Sequence, residues 1–159
     1  MDDEWIPDPE VDAVMGASRA LIAVAARSMV EIEDAMTPLQ WRVLVLISTK
    51  GPRTPGLIAE DLGVHASNAT RICDRLVRAD FIGKTTHPDD RRFQQLALTG
   101  KGESLVDRTM ARRRSIILDI MRLMPAPERA ALGAALGAFA EAAGELPLHP
   151  VPGVFGLGA

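Results

Sequence analysis

Residues 54–79 read TPGLIAEDLGVHASNATRICDRLVRA, and this stretch decides the fold. Thr54 followed by Pro55 is a helix start, because the threonine hydroxyl can accept from a first-turn N–H and proline at the first helical position forfeits no hydrogen bond. Leu57, Ile58 and Leu62 are the apolar members of a short helix. Gly63 ends it, since glycine enters left-handed backbone without steric cost. A second helix runs from His65 to Ala79. Its Ala69, Ile72, Cys73, Leu76 and Val77 share one face at helical spacing, which leaves Ser67, Asn68, Thr70, Arg71, Asp74, Arg75 and Arg78 outside. A helix, a tight glycine turn and a second helix form the helix-turn-helix pattern. Hydroxyl, amide and guanidinium groups on such an outer face can bond phosphates and reach base edges in a major groove. Any solvated amphipathic helix is polar outside too, so the face alone assigns no function.

The residues that follow narrow the choice. Phe81–His87 and Phe93–Leu98 read as two short strands around the polar, turn-prone Pro88-Asp89-Asp90-Arg91-Arg92. A hairpin directly after a recognition helix is a wing. Arginine at its tip, Arg91 or Arg92, can enter a narrow, electronegative minor groove while the helix lies in the major groove. Asp90, two residues before Arg92, is placed to orient that guanidinium as a wing brace.

Charge follows the same division. The chain carries −3 overall, but residues 1–49 hold three Arg against nine acids, residues 50–102 hold nine Lys or Arg against six, and residues 103–159 balance at six and six. The positive surplus therefore lies in the helix-turn-helix and wing.

Upstream, Pro9 opens a helix expected over about 9–34, with Val11, Val14, Met15, Ser18, Leu21, Ile22, Ala25, Met29 and Ile32 recurring at helical spacing. Val24 and Val30 fall off that stripe. They imply a second apolar surface, for which a partner subunit is the simplest cover. Thr37-Pro38 opens a helix whose Trp41 and Val43–Ile47 are apolar almost all round, so it should be central. Downstream, Thr99 caps a long helix carrying Leu105, Val106, Met110, Ile116, Ile117, Ile120, Met121 and Met124, and Pro125 and Pro127 stop it and seed a last helix rich in alanine. The triplet Arg112-Arg113-Arg114 reads as a solvated face or an intersubunit salt-bridge donor rather than a DNA patch. Residues 146–159, rich in Pro and Gly, read as an extended tail that docks on a partner through Val151, Val154, Phe155 and Leu157. Trp5-Ile6-Pro7 is a comparable docking candidate.

Other classes find little support. Nearly half the residues are hydrophobic and a quarter charged, which suits a globular chain with a real core. The longest apolar run, Ala20–Ala26, falls far short of the roughly 20 residues that span a bilayer, and the first residues lack a basic signal-peptide start, so the expectation is cytoplasmic, with no membrane partner. One cysteine and three histidines form no cluster at metal-ligand spacing, so no metal and no cofactor are expected. There is no Gly-x-Ser-x-Gly, phosphate loop, dinucleotide fingerprint or paired-carboxylate site, which argues against an enzyme.

Taken together, Leu62-Gly63-Val64, Ser67, Thr70-Arg71, Asp74-Arg75-Leu76, Pro88, Asp90-Arg91-Arg92, Leu98-Thr99 and Gly102 resemble the MarR family of winged helix-turn-helix transcription regulators. The resemblance covers residues 37–102, and the Asp-x-Arg-Arg wing followed by Leu-Thr-x-x-Gly is its specific part. It implies a mainly α (α+β) fold, with a two-stranded wing flanked by dimerisation helices: an N-terminal one in 1–36, a winged helix-turn-helix in 37–98, C-terminal helices in 99–145 and a tail in 146–159. It implies a homodimer on pseudo-palindromic double-stranded DNA, which matches the two-fold symmetry such sites require. Arg92 would be the minor-groove arginine and Asp90 its partner; Ser67, Asn68, Thr70 and Arg71, with Arg75 and Arg91, would complete the DNA-binding set. His65-Ala66 departs from the family's frequent Ser cap, which predicts a weaker helix start. The family also implies repression released by a small aromatic or anionic ligand, for which Met15, Met29, Trp41 and Met110 are candidate lining residues, each equally readable as core. Two alternatives stay open: a winged-helix protein-interaction module, and an oxidant sensor acting through Cys73.

Overall fold

The computed structural model describes residues 8–30, 32, 36–86 and 94–145. The docking candidates at Trp5-Ile6-Pro7 and in the tail 146–159 lie outside the described residues, as does the wing tip with Asp90, Arg91 and Arg92. The described residues form α1 (Pro9–Met29), α2 (Pro38–Lys50), α3 (Pro55–Leu62), α4 (Ala66–Arg78), β1 (Ile82–Thr86), β2 (Gln94–Leu98), α5 (Gly100–Arg122) and α6 (Ala126–Ala142). None of these helices is long and apolar enough to cross a membrane.

Local chemistry places most of these boundaries. Thr37 and Gln40 form a reciprocal capping box at the start of α2, the Gln40 N–H donating to Thr37 Oγ1 at 3.2 Å and the Thr37 N–H to Gln40 Oε1 at 2.7 Å. Thr54 caps α3 through the Leu57 N–H at 3.3 Å. Gly63 then turns the chain at φ 62°, and the Val64 N–H closes back on the Ala59 carbonyl at 3.0 Å. The end of α4 repeats this geometry with a less suitable residue. Phe81 N–H bonds Leu76 O and Asp80 N–H bonds Val77 O, both at 3.0 Å, with Asp80 at φ 62°. Glycine is usual at that position.

One hydrophobic core runs through the expected segment boundaries at 36/37 and 98/99. Met29, Ile32 and Met36 enter it from the N-terminal side, Trp41 and Val43–Ile47 from α2, and Leu105 and Val106 from α5. Leu44, Ile58, Leu76, Ile82 and Val43 are its largest fully buried side chains. The strands pair antiparallel from Ile82↔Leu98 to Thr86↔Gln94, and Arg53 adds a one-residue bridge on the far side of β2 opposite Leu96.

The first helix departs from expectation in two ways. It ends at Met29 rather than near 34, where the Ile32 N–H bonds the Met29 carbonyl in a tighter three-residue register. That turn sends Ile32 and Met36 into the core. Of the residues at helical spacing, Val11, Val14, Met15, Leu21 and Ile22 are exposed while Met29 and Ile32 are buried; Val24, expected on a second surface, is instead buried with Ser28 where α1 packs on α5. Val30 is exposed, as expected of a second surface. Arg113, the middle residue of the arginine triplet, turns inward and donates from Nε to Ser28 Oγ at 3.1 Å. Burial lowers its pKa from the ordinary guanidinium value.

The helices of the C-terminal part split along their length. The first turns of α5 belong to the core, while Leu118, Ile120 and Leu123 are exposed. No residue of α6 is buried, and its Leu136 and Phe139 face solvent in the single chain. An Arg42–Glu145 ion pair ties the residues just past α6 to α2.

The start of α5 is fastened to the end of α4. Thr99 Oγ1 donates to Asp80 O at 2.6 Å while accepting from the Gly102 N–H at 3.2 Å. Lys101 Nζ donates to Ala79 O at 2.8 Å and lies 4.4 Å from the centroid of the Phe81 ring. Gly102 passes so close that a Cβ there would sit 2.1 Å from the Phe81 carbonyl oxygen. Backbone cannot give way as a flexible side chain would. Gly102→Ala is therefore expected to destabilise the protein by about 2 kcal/mol or more in urea unfolding. Asp80→Gly should stabilise it by about 0.5 kcal/mol, the relief of left-handed strain outweighing the added chain entropy.

Candidate nucleic-acid interface

Helix α4 sorts its residues cleanly. Ala69, Ile72, Cys73 and Leu76 are buried against α2 and α3, and Ser67, Asn68, Thr70, Arg71 and Arg75 are all exposed on the opposite side together with Asp74 and Arg78. The structure thus brings the five residues named on this helix onto one accessible face. Thr70 Oγ1 donates to the Ala66 carbonyl at 3.0 Å, so its hydroxyl hydrogen is committed and its oxygen is left to accept. Ser67 Oγ lies 3.2 Å from His65 Nδ1. His65 occupies the N-cap position and makes no capping hydrogen bond, so the N–H groups of the first turn have no side-chain acceptor.

Beside this face lies a groove of about 520 Å³ between α4 and the wing. Its lining includes buried Cys73 and Leu96, half-buried Val77, and exposed Thr70, Arg78 and Lys84. Two cations from different elements, Arg78 from α4 and Lys84 from β1, therefore share one channel with the Asp74 carboxylate. Arg78 was placed on the outer face by its spacing, whereas Lys84 was not named from the sequence. Lys84 was findable: it lies two residues after buried Ile82, and side chains two apart in a strand share a face. Gln95 joins the lining from β2. Asp90, Arg91 and Arg92 lie between β1 and β2 in sequence and are not among the described residues.

Cys73 lies at the bottom of the groove and is 2% exposed. Burial, and to a lesser degree the Asp74 carboxylate, push its thiol up to about 11. At neutral pH it is a protonated thiol, not a nucleophilic thiolate.

The four residues named as a ligand pocket are not gathered into one. Met29 and Trp41 are buried in the core, Met110 packs at its edge, and Met15 is 55% exposed on α1. Apolar side chains on core-facing positions were filled by their own fold. A cavity of about 540 Å³ opens instead between the end of α1 and α5, lined in part by Ser28, Ile32, Phe81 and Leu105 with Lys101 and Arg108. Among the described residues no cluster of His, Cys, Asp or Glu could hold a metal ion.

Residues 36–93 match the model of the MarR family. The chain is 32% identical over 85 residues to the HTH-type transcriptional repressor MdtR of Bacillus subtilis (strain 168), a match covering 54% of this chain and 55% of that protein. The chain spans about half the length of the curated relatives it matches. Among solved structures, that of RV1404 from Mycobacterium tuberculosis is 38% identical with a TM-score of 0.76, covering 91% of this chain and all of that one. The transcriptional regulator Tm0710 from Thermotoga maritima shares the fold at 24% identity and a TM-score of 0.66, over 85% of this chain and 94% of its own. The helix-turn-helix, the antiparallel wing and the helices on either side all agree with these relatives, and the chain belongs to the MarR family of winged helix-turn-helix regulators.

Proposed function

We propose that this protein is a sequence-specific, double-stranded DNA-binding transcription regulator working in the cytoplasm as a homodimer on pseudo-palindromic sites. One observation carries the reading: the exposed polar and cationic face of α4 stands beside a groove flanked by Arg78 and Lys84. A helix in the major groove with a wing over the minor groove places the intervening phosphate backbone along such a channel. Arg71 is assigned to a base edge, with Ser67, Asn68, Thr70 and Arg75 completing the face; their shared exposure on α4 supports this. Arg92, braced by Asp90, is assigned to the minor groove and Arg91 to the backbone. An interaction module for proteins would not need these cations.

The exposed apolar residues of α1, the end of α5 and α6 support the dimer. Val11, Ile22, Leu123 and Phe139 are each more than half exposed in the single chain, and a second copy is the partner of matching chemistry. In this division of labour residues 1–36 and 99–145 join the copies and 37–98 meet DNA. Repression is favoured by likeness to the MdtR repressor. Release by a small aromatic or anionic ligand is part of the same proposal, and the cavity between α1 and α5, with Lys101 and Arg108 in its lining, is its best-supported location.

Footprinting on the DNA upstream of its own coding sequence should reveal a two-fold site with half-sites about one helical turn apart. Affinity for it should fall steeply with salt, since each phosphate contact releases counterions. Arg71→Ala should cost about 1 to 3 kcal/mol of operator binding and relax specificity, and Arg92→Ala should lower affinity. Unchanged binding by both variants would count against the assignment. Because the Cys73 thiol is held up to about 11, peroxide should leave DNA affinity unaltered. Alkylation of Cys73 in the folded protein, followed by mass spectrometry, should stay slow at pH 8 and accelerate only as the pH approaches 11.

A further inference from the structure

Away from the DNA-facing residues, three charged side chains meet behind the wing. Lys50 at the end of α2 donates from Nζ to Asp61 Oδ1 at 2.5 Å, and Arg53 Nη1 lies 3.5 Å from the other carboxylate oxygen. The side chains of Lys50, Arg53 and Asp61 are 25%, 23% and 18% exposed. The three side chains are thus partly shielded, although Asp61 as a whole residue is exposed. The Arg53 Nε is buried without a hydrogen-bond partner among the described residues, which leaves Asp61 as the anchor of that guanidinium.

The backbone of Arg53 gives the group its reach. Its N–H donates to the Leu96 carbonyl at 2.9 Å, and the Leu96 N–H donates back to its own carbonyl at 2.8 Å. Arg53 is thus a third strand one residue long, clipped to the middle of β2. Its side chain ends on α3, the first helix of the helix-turn-helix. Leu96, together with Pro55 just after Arg53, lines the groove between α4 and the wing. A carboxylate in the segment of positive surplus also opposes attraction to phosphates. Its contribution must then come from what it holds.

We propose that Asp61 is a positioning residue that sets the separation of the wing from the recognition helix. By anchoring Arg53 to α3 it fixes β2, and so the width of the groove and the reach of the wing arginine. This rests on the DNA-binding reading above. It makes a prediction opposite in sign to simple electrostatics. Removing a negative charge from the DNA-facing half should tighten binding to any duplex, whereas loss of positioning should weaken recognition of the operator alone.

The test compares the full-length protein with its Asp61→Asn and Arg53→Lys variants by fluorescence anisotropy. The probes are a duplex carrying the footprinted operator and an unrelated duplex of equal length, each at two salt concentrations. Asp61→Asn is expected to hold or gain affinity for the unrelated duplex while its preference for the operator falls about tenfold. Arg53→Lys keeps net charge and both main-chain bonds but replaces the planar fork with a point charge. Its preference should fall in the same direction with the unrelated duplex unchanged. In an Arg92→Ala background Asp61→Asn should cost no further preference, because its effect passes through the wing. A purely structural role would lower preference equally in both backgrounds, and that result overturns the proposal. So does a folded variant that keeps full preference. Should Asp61→Asn fail to fold, as judged by circular dichroism, the Arg53→Lys ratio decides alone. If the unaltered protein shows no preference for the operator, the DNA-binding reading falls and takes this proposal with it, an outcome visible before any variant is compared.

Discussion

The close approach of Gly102 to the Phe81 carbonyl is the constraint on which the rest of the structure hangs. Without a Cβ at that point, the first turn of α5 can lie directly on the turn that leaves α4. Thr99 and Lys101 then satisfy the carbonyls of Asp80 and Ala79, which the ending helix would otherwise leave unpaired. The turn that leaves α4 and the first turn of α5 are therefore fastened to each other, and Leu105 and Val106 carry α5 on into the core.

This joint also explains how the chain divides its apolar residues. Those near the joint, from Ile32 and Met36 through α2 to the first turns of α5, are consumed in a single core. Many of those farther out along α1, α5 and α6 are exposed, among them Val11, Ile22, Leu123 and Phe139. The two populations have similar composition, so the difference lies in geometry: a straight helix longer than the body it packs on must carry part of its apolar face beyond it.

Much of this was legible in the residues themselves. The Thr37/Gln40 box, the Thr54-Pro55 start, the Gly63 turn and the Thr99 cap are local chemistry, and each lies where its residue types place it. The polar face of α4 followed from periodicity, as did the two strands. What escaped was non-local. Periodicity shows that a face of α1 is apolar but not whether its own core or another surface covers it, so Val24 was expected on a second surface and is buried in the chain itself. The inward turn of Arg113 depends on Ser28, 85 residues away in sequence. The bridge from Arg53 to Leu96 left no trace in the sequence, because a one-residue strand has no period. Asp80 could not be foreseen in left-handed backbone, since the fastening that holds it there comes from Thr99.

His65, at the start of α4, leaves that helix unfinished. A side-chain cap at this position commonly contributes on the order of 1 kcal/mol to a fold, and here the protein forgoes it. The first turn is instead held by main chain alone: the Asn68 and Ala69 N–H groups both donate to the His65 carbonyl, at 2.9 and 3.1 Å. The start of α4 is thereby fixed by backbone geometry rather than by the identity of its first side chain, so a substitution at residue 65 has no cap to remove.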